Sequence, residues 1–232
     1  MKPKLPPVAW WIAFLSLCLV ATELHEQVHI QTGYLLFGAY GPRDFNRWEL
    51  AGTAPVGAFA SAAGPLFSYC LAWMGVVLLR AQRLPEGWGI ALVFAALPGA
   101  HLLTALMGSG DERVVLDQFM EARSGAGRAL LAAWSLLVYG LPVVLAARYL
   151  PAGRRVLMLT ILLLAPMLVE FGLLHWLYNS LLRQGWGAAV PFGGTPLLVQ
   201  AHLLSVLLLC WMMRRAISCF APARPLHPSS SF

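Results

Sequence analysis

The chain has 232 residues, 59% of them hydrophobic and only 11% charged, with a net charge of +6. Soluble domains carry roughly one charged residue in four, so a water-facing surface cannot be built from this composition, and most of the exterior must face lipid. The positive balance needs no nucleic acid: basic residues flank membrane spans for orientation, and no basic stripe interleaved with aromatic residues is present.

In chain order, charge-free runs cover residues 5–22, 50–79, 87–110, 129–147 and 184–213, and a sixth run, 156–182, is interrupted only by Glu170 and His175. A helix needs about 20 mainly apolar residues to cross the hydrocarbon. The expectation is an all-α, polytopic transmembrane helix bundle of about six spans, with loop included in the two longest runs. It forms a single integral membrane domain over 1–220, with a catalytic core at about 8–125, further spans at about 129–213 and a disordered Pro- and Ser-rich tail at 221–232. Lys2 and Lys4 give the first run a basic start, but no small-residue cleavage site follows, so it reads as a retained span. With six spans, ten Lys and Arg residues fall on the side of the termini and six on the other. This places both termini in the cytoplasm of a cell membrane, the inner one in bacteria. Four cysteines without CxxC spacing suit helix packing rather than a thiolate metal site.

At the end of the first run stands His25-Glu26-Gln27-Val28-His29, an HExxH pattern. On a helix, positions i and i+4 share a face, so both imidazoles can hold one zinc ion (Zn2+), and the intervening Glu26 can serve as the base acting on water. Charged groups inside spans are costly and mark function by default; the alternative is an interfacial polar cluster. Glu23 lies on another face and is assigned at most to orienting a histidine.

The second long run carries Ala60-Ser61-Ala62-Ala63-Gly64-Pro65-Leu66. An HExxH span, a short amphipathic insertion (here about 33–50) and a span with Ala-Ala-Gly-Pro-Leu (here 62–66) resemble, in that order, the intramembrane metalloproteases of the site-2 protease type. The resemblance extends over roughly residues 15–116. It departs at Ser68, where the family usually has asparagine, and the family's Leu-Asp-Gly motif is missing. The resemblance implies zinc-dependent cleavage of a membrane-protein or peptide substrate among lipids, a third ligand that is an aspartate in a later span, and a site toward the cytoplasm. That last implication conflicts with a cytoplasmic N-terminus.

Leu97-Pro98-Gly99 resembles the stretch preceding the family's aspartate, and Asp111 follows it. Asp111 is therefore the first choice for third metal ligand, against a helix N-cap role; His101 is the second and Glu170 the third. Glu170 and His175 stand five apart, a poor spacing for one α-helical face, and read as interhelical hydrogen bonds or cavity lining. His202 reads as a packing residue. The segment Arg43–Glu49 reads as an interfacial anchor, and Ser124–Gly127 as a flexible linker. Two further classes compete with the protease: a non-catalytic metal-binding or scaffolding membrane protein, and a haem- or quinone-binding subunit, which accounts for histidines but not for Glu26.

Overall fold

The computed structural model describes residues 5–53, 55–81, 85–119 and 124–220. The expected disordered tail at 221–232 lies outside these residues. Among the described residues the fold is all-α, with two isolated β-bridges, Arg43 to Trp48 and Phe192 to Thr195, closing turns in loops. Six helices are long and apolar enough to cross a membrane: Val8–Phe37, Gly57–Ala81, Gly87–Leu106, Gly125–Ala147, Ala152–Arg183 and Leu197–Ile217. The chain is a multi-pass integral membrane protein, and the two longest apolar runs do include loop, at 50–53, 55–56 and 184–196.

The first span is the central one. It is far more buried than the fifth and sixth spans, and it packs on the second, third, fifth and sixth. Trp10, Phe14 and Cys18 on its N-terminal half join Ile90, Val93, Phe94, Leu150, Met158 and Leu162 in one core. Its C-terminal half carries polar residues that would be costly against lipid, so it is this half that needs a polar interior. The helix runs on past the charges to Phe37, where Gly38 closes it at φ 68° with its N–H on the Tyr34 carbonyl. All of HExxH therefore lies on one uninterrupted helix.

The second and third spans meet at paired glycines. A Cβ on Gly75 would fall 2.7 Å from the Gly89 carbonyl oxygen, and one on Gly89 would fall 2.9 Å from that of Gly75. Small residues let membrane helices approach this closely. The third span then breaks. Leu97, ahead of Pro98, sits in the left-handed region at φ 51°, since a residue preceding proline is disfavoured in α geometry. Irregular backbone at membrane depth is tolerated where it lines a cavity, and Ala95, Ala96 and Leu97 line one.

Two spans contain π-helical segments, Leu136–Gly140 and Glu170–Tyr178. Each lies near a proline, Pro142 and Pro166 respectively, which removes one N–H from the helical ladder.

Two sequence expectations need correction. Of the insertion expected at about 33–50, residues 33–37 continue the first helix and residues 38–53 form a folded loop. Its Arg43–Glu49 segment turns inward: Phe45 is buried against Leu19, Val20, Leu174, Val199 and Val206, and the Phe45 N–H donates to Asn179 Oδ1. Ser124–Gly127 is no linker, because Ser124 caps the fourth span by accepting from the Gly127 N–H. His202 does pack as expected, edge-on to Phe45 and Tyr178.

Candidate metal centre

His25 and His29 project from the same face of the first span, as i and i+4 must. Their Nε2 atoms are 3.0 Å apart. Asp111, the first residue of a short helix Asp111–Leu116 beyond the third span, places Oδ2 at 3.3 Å from each. The N-cap position belongs to Gly110, at φ 92°, so the Asp111 side chain is free to reach across to the first span. Four-coordinate zinc with ligands at about 2.0–2.1 Å requires edges of about 3.3–3.4 Å between ligand atoms, close to this triangle.

The hydrogen bonds behind the triangle fix what its corners carry. His29 Nδ1 lies 2.6 Å from the Ala60 carbonyl oxygen, which only accepts, so the ring hydrogen is on Nδ1. In the neutral ring Nε2 then holds a lone pair. His25 Nδ1 lies 2.9 Å from Ser68 Oγ, an arrangement that leaves its Nε2 facing the centre in the same way. With the Asp111 carboxylate oxygen, three acceptor atoms converge, and such a group needs a cation or added protons. Protonated imidazoles answer that need in part. Burial pushes the Asp111 carboxyl up, but hydrogen bonds from His25 and His29 outweigh it and hold it well below the usual carboxylate range.

The second span shapes the centre through Gly64 and Ala60. A Cβ on Gly64 would lie 2.1 Å from His29 Nε2, so the Ala-Ala-Gly-Pro-Leu glycine provides room for the His29 ring. On the opposite side Trp48, from the loop, stacks on His29 with centroids 4.7 Å apart.

Beside the triangle opens a cavity of about 230 Å³, lined among others by Glu26, Asp111, His101, Thr104, Glu170 and His175. Glu26 Oε2 is buried with no hydrogen-bond partner. A buried polar atom without a partner is costly, and here it belongs to the carboxylate next to the ligand triangle. Glu170 and His175 both reach this cavity. The expectation that they share no face assumed α geometry; π-helical turns take more residues, so a five-residue spacing returns to one face.

His101 and Glu170 stand outside the triangle. His101 Nδ1 pairs at 3.3 Å with Glu112 Oε1, and its ring centroid is 5.6 Å from that of His25. Glu23 does not orient a histidine: Arg43 grips it with two hydrogen bonds, at 2.9 and 3.1 Å, and Gln27 donates a third. Sequence reasoning missed Glu112, Tyr69 and Trp48 at the site. The one available signal was the carboxylate of Glu112 directly following Asp111. No family model, curated protein or solved structure matches this chain.

Proposed function

We propose that the chain is an intramembrane zinc hydrolase, a metallopeptidase of the site-2 protease type that cleaves peptide bonds of membrane-protein or peptide substrates. The observation that carries this reading is the pairing of three convergent acceptor atoms (His25 Nε2, His29 Nε2 and Asp111 Oδ2) with the buried, unpartnered Oε2 of Glu26 in the adjoining cavity. The donor set of two imidazoles and one carboxylate suits zinc and leaves a fourth position open, as hydrolytic sites require.

A zinc ion held there supplies Lewis acidity, which acidifies water and polarises a carbonyl. The Ala60 carbonyl fixes His29 in orientation and tautomer, and Ser68 holds the orientation of His25, a role that outer partners play for ligating histidines. Glu26 accepts a proton from water and passes it to the leaving nitrogen as the C–O bond forms and the C–N bond breaks, consuming one water per peptide bond. The polar cavity walls give water a place at membrane depth, and a substrate helix must locally unwind to present its backbone. A cell-membrane location with both termini in the cytoplasm is part of the same proposal, on the distribution of Lys and Arg.

Metal analysis of the purified chain in lipid nanodiscs tests the centre: about one zinc per chain is expected, lost in His25→Ala and in His29→Ala. Zinc content unchanged in the double variant would falsify the centre. Full zinc with no hydrolysis of any membrane peptide offered would favour the metal-binding scaffold, which the missing Leu-Asp-Gly and Ser68 also suit.

A further inference from the structure

Behind Asp111 runs a second polar chain that the ligand triangle does not use. The Trp134 indole N–H donates to the Tyr69 hydroxyl at 2.9 Å, and that hydroxyl donates to Glu112 Oε1 at 3.1 Å. The same oxygen meets His101 Nδ1 at 3.3 Å. Donor and acceptor roles follow from chemistry. An indole N–H only donates, so the tyrosine hydrogen points onward to Glu112. An ionised carboxylate only accepts, so the hydrogen between His101 and Glu112 sits on His101 Nδ1. Glu112 is buried at 8% exposure, too costly for a carboxylate without such partners. The His101 ring is also clamped flat against Tyr139, with centroids 4.3 Å apart and planes 14° from parallel. Its orientation is thus fixed at one edge and one face, and the ring lines the same cavity as Glu26 and Asp111.

Peptide hydrolysis builds negative charge on the scissile carbonyl oxygen, and preorganised donors there are among the largest contributions to catalysis. Neither lysine nor arginine lines the cavity. Of its other polar side chains, the Thr104 hydroxyl is given to the His101 carbonyl and the Thr22 hydroxyl to the Cys18 carbonyl, while Asn46 accepts from Asn179 and Ser68 meets His25 Nδ1. His175 also lines it, but its ring contact is an edge to Phe171, which leaves it less fixed than His101.

We propose that His101 is a catalytic residue: as an imidazolium paired with the Glu112 carboxylate through Nδ1–H, it donates a hydrogen bond from Nε2–H to the scissile carbonyl oxygen. Glu112 and Tyr69 are its positioning residues. This rests on the zinc-hydrolase reading and assigns it a donor the ligand triangle cannot supply. No bond is made or broken at His101; it stabilises charge while the proton from water travels by way of Glu26.

The test separates charge stabilisation from metal binding. The full-length chain in nanodiscs is loaded with cobalt, whose visible bands report entry of ligands at the centre without turnover. Two probes are titrated: a dipeptide phosphonamidate, tetrahedral and anionic like the transition state, and 2-mercaptoethanol, which needs only the metal. His101→Gln is expected to weaken the phosphonamidate by about 10²–10³-fold, with cobalt content and thiol affinity retained. Glu112→Gln still accepts from Tyr69 but lacks the counter-charge, and a smaller loss of about tenfold is expected. His101→Phe keeps a ring against Tyr139 and serves as the second variant if the glutamine form loses cobalt. Unchanged phosphonamidate affinity in either His101 variant, or loss of cobalt from both, overturns the proposal. A wild-type chain without cobalt bands overturns the metal centre itself, a failure recognisable before any variant is compared.

Discussion

Gly64 and His29 are in direct contact across the first and second spans, so closely that a Cβ on Gly64 would lie 2.1 Å from His29 Nε2. The His29 ring cannot simply swing aside, because Nδ1 is hydrogen-bonded to the Ala60 carbonyl and Trp48 covers its face. Gly64→Ala should therefore damage the metal centre without altering a ligand. A loss of at least about tenfold in zinc affinity is expected, in the range of losses seen when groups supporting a ligand are changed. Competition with a zinc-binding dye measures it, and wild-type affinity in Gly64→Ala would show that the ring position has been misread.

Ser68 supports the other imidazole. Ser68→Ala removes the partner of His25 Nδ1 and makes little change in volume. Zinc affinity should fall by about 10- to 100-fold, and the zinc-free chain should lose about 1–3 kcal/mol because His25 Nδ1 is left buried without a partner. A variant that loses stability but keeps zinc affinity would make Ser68 a packing residue only.

The Glu23–Arg43 pair fastens the loop over the centre. Both side chains are nearly inaccessible, at 4% and 1% exposure. Breaking a buried pair from one side strands a charge, at a cost of about 3–5 kcal/mol. Arg43→Met should cost this much, and the double variant Glu23→Gln with Arg43→Met should recover most of it. Thermal unfolding in detergent decides; equal losses in the single and double variants would mean that Arg43 acts through packing.

Six crossing helices would put the two termini on one side of the membrane. Reporter fusions at each end should give matching signals, and the distribution of Lys and Arg predicts the cytoplasmic one. Opposite signals would mean that one of the six helices does not cross. The fifth span, Ala152–Arg183, is the first to check, since it contains Glu170 and His175.

Local patterns made the bundle and half of the centre legible. Apolar length marks a span wherever water is absent, and the i, i+4 spacing of His25 and His29 works on any regular helix. Ala62–Leu66 was legible as a pattern within the second span, though not that Gly64 makes room for the His29 ring. The remaining features depend on long-range placement or irregular backbone. Asp111 is 86 residues from His25, and its reach depends on Gly110 turning the chain with a positive φ. Glu170 and His175 come to one face only because the helix widens into π turns. Glu23 attracted attention as a neighbour of His25, yet its partner is in a loop that hydropathy marks as exterior. A buried Arg43 cannot be told from a surface arginine by composition.

Glu26 and Asp111 should fail in different ways. Glu26 Oε2 has no partner to lose, so Glu26→Gln keeps shape and most hydrogen-bonding capacity while removing the base. It should fold, bind one zinc and hydrolyse more slowly by about 10²–10⁴-fold. Asp111 Oδ2 faces both ligating nitrogens, so Asp111→Ala should lose zinc affinity first, with activity returning in part as zinc is raised. Asp111→Asn keeps an oxygen of similar reach but no charge and should fall between. Zinc titration alongside single-turnover cleavage of a membrane peptide separates the outcomes. Full zinc occupancy in Asp111→Ala would remove it from the ligand set and turn attention to His101, then Glu170. Undiminished cleavage by Glu26→Gln would end the proposed mechanism, because no other cavity carboxylate lies next to the first ligand in the chain.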